Sequence, residues 1–381
     1  MARVKIERNI YLDETRHKYY VSLDYGKDEN GKRIQKFKTF TKLLDARREL
    51  RRHESEKDAD QIVIPKDQSF TGWMDYWLKT VIEPTRAKTT VYAYRKMLEN
   101  HIKPYFKEEA LQKIKPIRFQ EYYTYLMEEK NLSVNTARKH HDFINSAMKY
   151  AYKQDMIKSN PLDKIEPPKP TRSKINFYKT EDLQRLLELS ENTRLELTIK
   201  LAGCLGLRRE ELLGITWDKI DFESKTITIS DARTAAGKEI VFKDTKNDSS
   251  YRVLYFTSDI EESIKKEQVK QSENKYFFKS EYFDSNYVIV DGKGKPYRPN
   301  YLSEIFTRFI KENGLPPVTL HGLRHTFASV ANAMGVPQFE ISKALGHSTP
   351  AITGKIYTHI FDDTHAGIVN VVQNAIDDKK K

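Results

Sequence analysis

Apolar and polar residues alternate along residues 6–12, 19–25 and 34–40, and the turn-forming runs DETR and GKDENGK separate the three stretches. A period of two bounded by such turns predicts a small three-stranded antiparallel sheet. Thr41 is placed to cap a following helix, LLDARRELRRHESEK. Past a connection at residues 59–67 the apolar period lengthens to that of helices. Phe70, Trp73, Met74 and Trp77 stripe a first helix, and Val91, Tyr94, Leu98 and Ile102 a second that should stop near Pro104. Phe119, Tyr122 and Leu126, then Phe143, Ala147, Tyr150 and Ala151, stripe a third and a fourth, and the aromatic stripes read as core. Residues 160–175 hold four prolines and several charges, which predicts an extended linker. Helical patterns return at 180–189 and 195–202, a hairpin-rich stretch spans 226–256, and helices resume after Tyr301.

The expected fold class is therefore α+β and multidomain: a small three-stranded sheet plus helix, then a helical bundle, then a mixed, mainly helical domain with a β-hairpin sheet. The boundaries drawn are 1–58, 67–160 and 174–381. No internal repeat is visible, and the only biased tract is the terminal DDKKK.

Charge adds a hint about partners. The 381 residues carry 66 lysines and arginines against 54 acidic residues, a net +12 spread along the whole chain. That distribution suits a polyanion held along an extended surface, although a lysine-rich protein of another kind would look the same on charge alone. Contact candidates are Arg33, Lys36 and Lys38 on the sheet, with Lys18 beside them, and the band Arg47, Arg48, Arg51 and Arg52 on the helix after it. In the helical module they are Arg86, Lys88, Arg95, Lys96, Arg138 and Lys139. The single cysteine, Cys204, excludes a disulfide framework and a cysteine-cluster metal site, and its apolar neighbours make it a structural thiol. No stretch reaches the apolar length of a membrane span, and MARVKIERNIY has no apolar signal core, so the expected location is the cytoplasm, among nucleic acids.

Reaction at a phosphodiester needs positive charge for the non-bridging oxygens, a nucleophile, and an acid for the leaving oxygen. The last domain offers all three. Arg208 in GLRREEL falls in the first turn of a predicted helix, with Glu211 three residues on to orient its guanidinium, or to form a plain surface ion pair with it. In HGLRH, positions i, i+3 and i+4 put His321, Arg324 and His325 on one helical face, and a planar bidentate donor flanked by imidazoles suits a phosphoryl group. A zinc site on His321 and His325 lacks the HExxH glutamate, whose place Gly322 takes, and lacks a third ligand. Lys246 stands in the turn TKNDSSYR between strand-like runs, where it is either idle or delivered into a DNA groove. His347 follows a glycine at a predicted helix end, and Tyr357 comes ten residues later, one of 22 tyrosines.

Taken in order, GLRREEL, TKND, HGLRH, LGHS and IYTH resemble the active-site signature of the tyrosine recombinases, the integrases of phages and conjugative transposons. The run from Leu132 to Pro161 is similar to the last helix of the family's core-DNA-binding domain, and the amino-terminal sheet and helix resemble an arm-binding domain. The resemblance implies that Tyr357 attacks the scissile phosphate to give a 3′-phosphotyrosyl link and a free 5′-hydroxyl, without metal or cofactor. It implies that Arg208 and Arg324 clamp the phosphate, that His321 and His347 donate hydrogen bonds or move protons, and that Lys246 protonates the leaving oxygen. Asn247 and Asp248 depart from the family's hairpin pattern, which leaves Lys243 open as the alternative to Lys246. The partners implied are double-stranded DNA at core and arm sites, a homo-tetramer on that DNA, and an accessory bending or excision factor. The apolar-striped tail with Ile360, Ile368, Val371, Val372 and Ile376 would cap its own domain or pack on a neighbouring subunit.

Three rival readings remain beside this one. A DNA-binding protein with an inactive site would not need all six candidate residues. A metal-dependent transposase would need clustered carboxylates that the chain does not offer, and a type IB topoisomerase would share the chemistry without site choice. Two DNA-binding modules on one chain also predict bivalent attachment, in which linkage raises the effective concentration of the second contact.

Overall fold

The computed structural model describes residues 3–27, 31–58, 68–171, 176–244 and 251–346. The chain divides into two compact units, residues 1–172 and 173–381.

The first unit opens with a four-stranded antiparallel sheet in sequential order, β1 (Val4–Glu7), β2 (Ile10–Asp13), β3 (Lys18–Lys27) and β4 (Arg33–Phe40). The sequence pattern predicts one strand where β1 and β2 stand. Asn9 adopts a left-handed conformation with φ of 63°, which reverses the chain and folds that run back on itself. The helix α1 (Leu43–Asp58) lays Ala46 and Leu50 on Ile10, Val21 and Leu23 to form a small core.

The bundle follows. Helix α2 (Phe70–Trp77) begins at Ser69, whose Oγ accepts from the Gly72 amide at 3.1 Å, and it continues through a wider π-type turn at Leu78–Ile82. Helix α3 (Lys88–Met97) runs through a second π-type turn, Leu98–Ile102, into α4 (Lys103–Phe106). Pro104 therefore does not stop the helix: the Lys103 amide donates to Leu98, five residues back, so the turn widens where the proline ring would clash with a regular carbonyl. Helices α5 (Pro116–Glu128) and α6 (Val134–Lys153) close the bundle, and the Trp73 Nε1–H donates to the Ala147 carbonyl at 3.1 Å, tying α2 to α6. The expected linker is ordered at its start. Residues Pro161–Lys164 form a 3₁₀ turn that buries Leu162 in the bundle core, and the Asn135 amide pairs with both backbone groups of Thr171 at 2.8 and 3.0 Å.

The second unit is built on α7 (Thr180–Ser190), α8 (Glu196–Cys204) and the single turn α9 (Arg209–Leu212). Strands β5 (Ile220–Asp221), β6 (Thr226–Ile229) and β9 (Arg252–Tyr255) make one antiparallel sheet, and β7 (Asp231–Ala236) pairs with β8 (Glu239–Asp244) as a separate hairpin. Helices α10 (Ser258–Phe278), α11 (Pro299–Glu312), α12 (Leu320–Ala333) and α13 (Gln338–Leu345) follow. The sequence reading has no counterpart of α10, because its buried face is only Ile260, Ser263, Ile264 and Gln271, too sparse for a visible stripe. A core centred on α8, with Ile199, Leu207, Leu212, Ile227, Ile264, Phe306 and Leu323, holds these elements together. Among the described residues no helix is long and apolar enough to cross a membrane.

Candidate active site

The site grows from the turn after α8. Gly206 takes φ of +68°, and a Cβ there would stand 2.8 Å from both Leu345 Cδ2 and Phe327 Cδ1, so only glycine lets the turn close this tightly. Two residues on, Arg208 is the residue before α9 and not a member of its first turn, as the spacing had suggested. Its backbone amide donates to Glu211 Oε2 at 2.8 Å and its Nη1 donates to Oε1 at 2.7 Å. Its other terminal nitrogen reaches the Gly346 carbonyl at 3.2 Å. The adjacent Arg209 turns away to Ser303 on α11 at 2.9 Å, which separates the two arginines of the RR pair.

Glu211 is 2 % exposed, yet it is the hub of the site. On its other side Arg252, the first residue of β9, donates to Oε1 at 3.1 Å and to Oε2 at 2.9 Å, and its Nε donates to the Ala344 carbonyl at 2.8 Å. Arg324, on the second turn of α12 and 1 % exposed, lies with Nη1 4.0 Å from Glu211 Oε2. That guanidinium donates to the Gly206 carbonyl at 2.8 Å and to the Leu345 carbonyl. Burial alone would raise the Glu211 carboxyl. The hydrogen bonds and charge of Arg252, then the charges of Arg208 and Arg324, overcome it and hold the group down at about 2. One buried carboxylate thus hydrogen-bonds two guanidiniums and lies 4.0 Å from a third, and Arg208 keeps an exposed edge.

Helix α12 starts at Thr319, whose Oγ1 accepts from the Gly322 amide at 3.0 Å. A Cβ on Gly322 would stand 2.8 Å from the Asn176 carbonyl, so this position is glycine because a backbone segment crosses it. Tyr178 secures that segment, its amide donating to Thr326 Oγ1 at 2.9 Å. His321 and His325 pack edge to face with ring centres 4.9 Å apart. They differ in setting: His321 lies at the surface near Arg208 and Arg324, whereas His325 is buried. Desolvation, then the positive charges of Arg324 and Arg208, lowers His321, and desolvation, His321 and Arg324 lower His325 to about 4. Among the described residues no group of three histidines, cysteines or carboxylates is arranged to hold a metal ion.

The structure therefore brings Arg208, Arg324 and His321 together. Lys246, His347, Tyr357 and the apolar tail lie outside the described residues, and Lys243 belongs to β8, its backbone opposite Ala232. The sequence reading missed Arg252. In YRVLYF it looks like a solvent-facing strand residue, and its carboxylate partner lies 41 positions away.

The surface candidates separate by partner. Arg33 pairs with Asp24 at 3.1 Å, Lys38 with Glu49 at 2.5 Å, Arg138 with Asp142 at 3.0 Å, and Arg95 with Glu83. Lys36 and Lys38 sit opposite Leu23 and Val21, on the sheet face that α1 covers, while the opposite face carries Tyr11, Tyr20, Phe37 and Thr39. Arg86 and Lys139 are exposed and have no ion-pair partner among the described residues, and Lys88 is exposed at the start of α3. In α1, Arg47 pairs with Glu7, Arg48 with Asp45 at 3.8 Å and Arg52 with Glu49 at 2.6 Å.

Comparison with known proteins decides what this arrangement belongs to. Residues 176–364 match the phage integrase family, residues 69–127 the N-terminal SAM-like domain of phage integrases, and residues 9–57 an arm DNA-binding domain. The chain belongs to the phage integrase family. It is 27 % identical to a tyrosine recombinase XerC-like protein of Caldanaerobacter subterraneus over 96 % of this chain and 98 % of that one. It is 25 % identical to the ICEBs1 integrase of Bacillus subtilis, over 90 % and 93 %. Among solved structures, the Tn1549 transposon integrase in complex with a circular intermediate DNA matches with a TM-score of 0.68 at 17 % identity, over 80 % of this chain and 99 % of that one. A lambda integrase tetramer bound to a Holliday junction matches at 0.60 and 15 % identity, over 93 % and 96 %. This tyrosine recombinase is a DNA breaking and rejoining enzyme, and its reaction is site-specific recombination for the integration and excision of a mobile element.

Proposed function

We propose that Tyr357 is the nucleophile and that the chain cuts DNA through a 3′-phosphotyrosyl intermediate. The tyrosine oxygen forms a bond to phosphorus, the bond to the 5′ oxygen breaks, and Lys246 supplies the proton that the departing 5′ oxygen takes up. His321 and His347 hold the non-bridging oxygens or accept the tyrosine proton, and Arg208 and Arg324 offset the charge that gathers in the transition state. Rejoining reverses these steps with a 5′-hydroxyl as nucleophile. The covalent link conserves the bond energy, so no cofactor or metal is needed.

The observation that carries this reading is the pair Arg208 and Arg324 held on opposite oxygens of one buried carboxylate. Preorganised cations of this kind suit a pentacoordinate phosphoryl group, and water would offer them only at a reorganisation cost.

The same reading divides the chain into an arm-binding module at 1–58, a core-binding module at 67–160 and a catalytic domain at 174–381. It has the protein act as a homo-tetramer on its attachment DNA, with an accessory bending or excision factor, in the cytoplasm of a bacterial host. Arg86, Lys88, Arg95, Arg138 and Lys139 then grip core-site phosphates, and Arg33, Lys36 and Lys38 those of the arm site.

The test incubates the wild-type protein and Tyr357→Phe with nicked DNA from the ends of the element, in EDTA, and looks for an adduct that survives detergent. The expected result is an adduct with the wild type alone. Binding without an adduct in the wild type would favour an inactive DNA-binding protein, and an adduct with the phenylalanine variant would move the nucleophile elsewhere.

A further inference from the structure

We infer that Arg252 is a positioning residue of the recombination reaction: it locks the Glu211 carboxylate between Arg208 and Arg324 and ties that centre to the end of α13. The inference rests on the proposed role of Arg208 and Arg324 as the phosphate clamp.

Two features of Arg252 point this way. Arg252 is 8 % exposed, and its guanidinium donates to both oxygens of Glu211, the fork-to-fork geometry that fixes a carboxylate in orientation as well as in place. Arg208 holds Oε1 from the other side at 2.7 Å, and Arg324 approaches Oε2 at 4.0 Å. Without Arg252 the carboxylate can rotate toward either clamp arginine, and the spacing of the clamp changes with it.

Its third contact makes the residue more than a local counter-ion. The Nε–H donates at 2.8 Å to the carbonyl of Ala344 in the last turn of α13. Ala344 precedes His347 by three residues, and Arg252 follows Lys246 by six. One side chain therefore spans the chain just after the proposed acid, the carboxylate hub, and the chain just before a proposed phosphate-binding histidine. Among the described residues Arg252 acts through Glu211 and Ala344. Its effect is to hold Glu211, and through it Arg208 and Arg324, in register with the end of α13, and a misplacement of about 1 Å in such a constellation costs on the order of 100-fold in rate.

The experiment measures core-site DNA affinity, single-turnover adduct formation on nicked DNA and the thermal midpoint for the wild type, Arg252→Gln and Arg252→Lys. The inference expects Arg252→Gln to bind DNA within about 3-fold of wild type and to form adduct about 100-fold more slowly. Arg252→Lys, which restores the charge and one of the two hydrogen bonds, should recover part of that rate. Adduct formation by both variants within about 3-fold of wild type would overturn it. It would also be overturned if the rate loss matched the fraction unfolded, or if the lysine variant were no faster than glutamine at equal folding. A wild-type protein that binds the DNA without forming an adduct would remove the tyrosine mechanism itself, and this inference with it.

Discussion

The two large cores of this recombinase differ in whether they bury charge. The second unit buries charged groups beside neutral ones such as His325 and Thr326: Glu211 sits among three arginines, and Lys200 is held by Asp259 at 2.8 Å and Glu196 at 3.3 Å. In the helical bundle the buried polar groups are neutral. Tyr122 shares a hydrogen bond with His140 at 2.9 Å and Tyr123 with His141 at 3.0 Å, and desolvation, then the nearby His101, lowers His140 to about 4. Buried charge demands several partners and loses heavily when one is removed, whereas a neutral hydroxyl–imidazole pair asks for one good bond. The bundle core uses the cheaper device. On the proposed function the clamp has to present charge to a phosphate, and it accepts the costlier one.

Breaking the hub should give the largest effect. Glu211→Gln keeps an acceptor but removes the charge that three arginines share, so adduct formation should fall at least about 100-fold while stability drops by about 3–5 kcal/mol. A single-turnover assay beside chemical denaturation separates the two losses. A variant that cleaves normally would show that the carboxylate merely fills space.

Acid should tell the cores apart. His140 is depressed from 6.5 to about 4, so the folded bundle binds fewer protons than the unfolded chain. Its contribution is complete above pH 6.5 and is lost as pH falls from there toward 4, a difference of about 3 kcal/mol. Glu211 is depressed from 4.5 to about 2, and its contribution, of similar size, is lost only between about pH 4.5 and 2. His325, also depressed to about 4, puts a similar loss into the second unit, so both units weaken as pH falls from 6.5 toward 4 and the second alone weakens further between about 4.5 and 2. Two of the three tryptophans, Trp73 and Trp77, lie in the bundle core, so fluorescence of a Trp217→Phe variant follows that module during an acid titration. A bundle signal that stays flat from pH 6.5 to 4 would overturn the part given to His140.

The surface cations should give the smallest effect. Arg95 and Arg138 sit in exposed ion pairs, which contribute about 0–1 kcal/mol, so alanine at either should leave the thermal midpoint nearly unchanged. Each should weaken DNA binding a few-fold and lower the slope of log affinity against log salt by about 1, because a phosphate contact releases counterions. An unchanged slope would place that arginine off the DNA.

How much of this was visible beforehand depends on the range of the forces involved. The bundle helices follow from aromatic stripes at helical spacing, and Glu211 beside Arg208 follows from a three-residue interval, since both signals are local. The strand reversal at Asn9 was not legible, because one residue entering left-handed space leaves the alternation looking continuous. Nor was the passage of α3 through Pro104, which depends on a widened turn that pattern does not encode. Arg252 stayed hidden for a different reason: a lone charge in a strand shows neither its burial nor a partner 41 positions away.

The acceptors that hold the clamp are largely main-chain carbonyls, those of Gly206, Ala344, Leu345 and Gly346. Every amino acid supplies a carbonyl, so a position such as Ala344 can change identity without erasing its part in the site. At Gly206 the main chain needs the absence of a side chain as well, and drift there is barred. The clamp is thus specified by few letters of the sequence and by much of its path, so a substitution at Ala344 that keeps the path should leave the geometry in place.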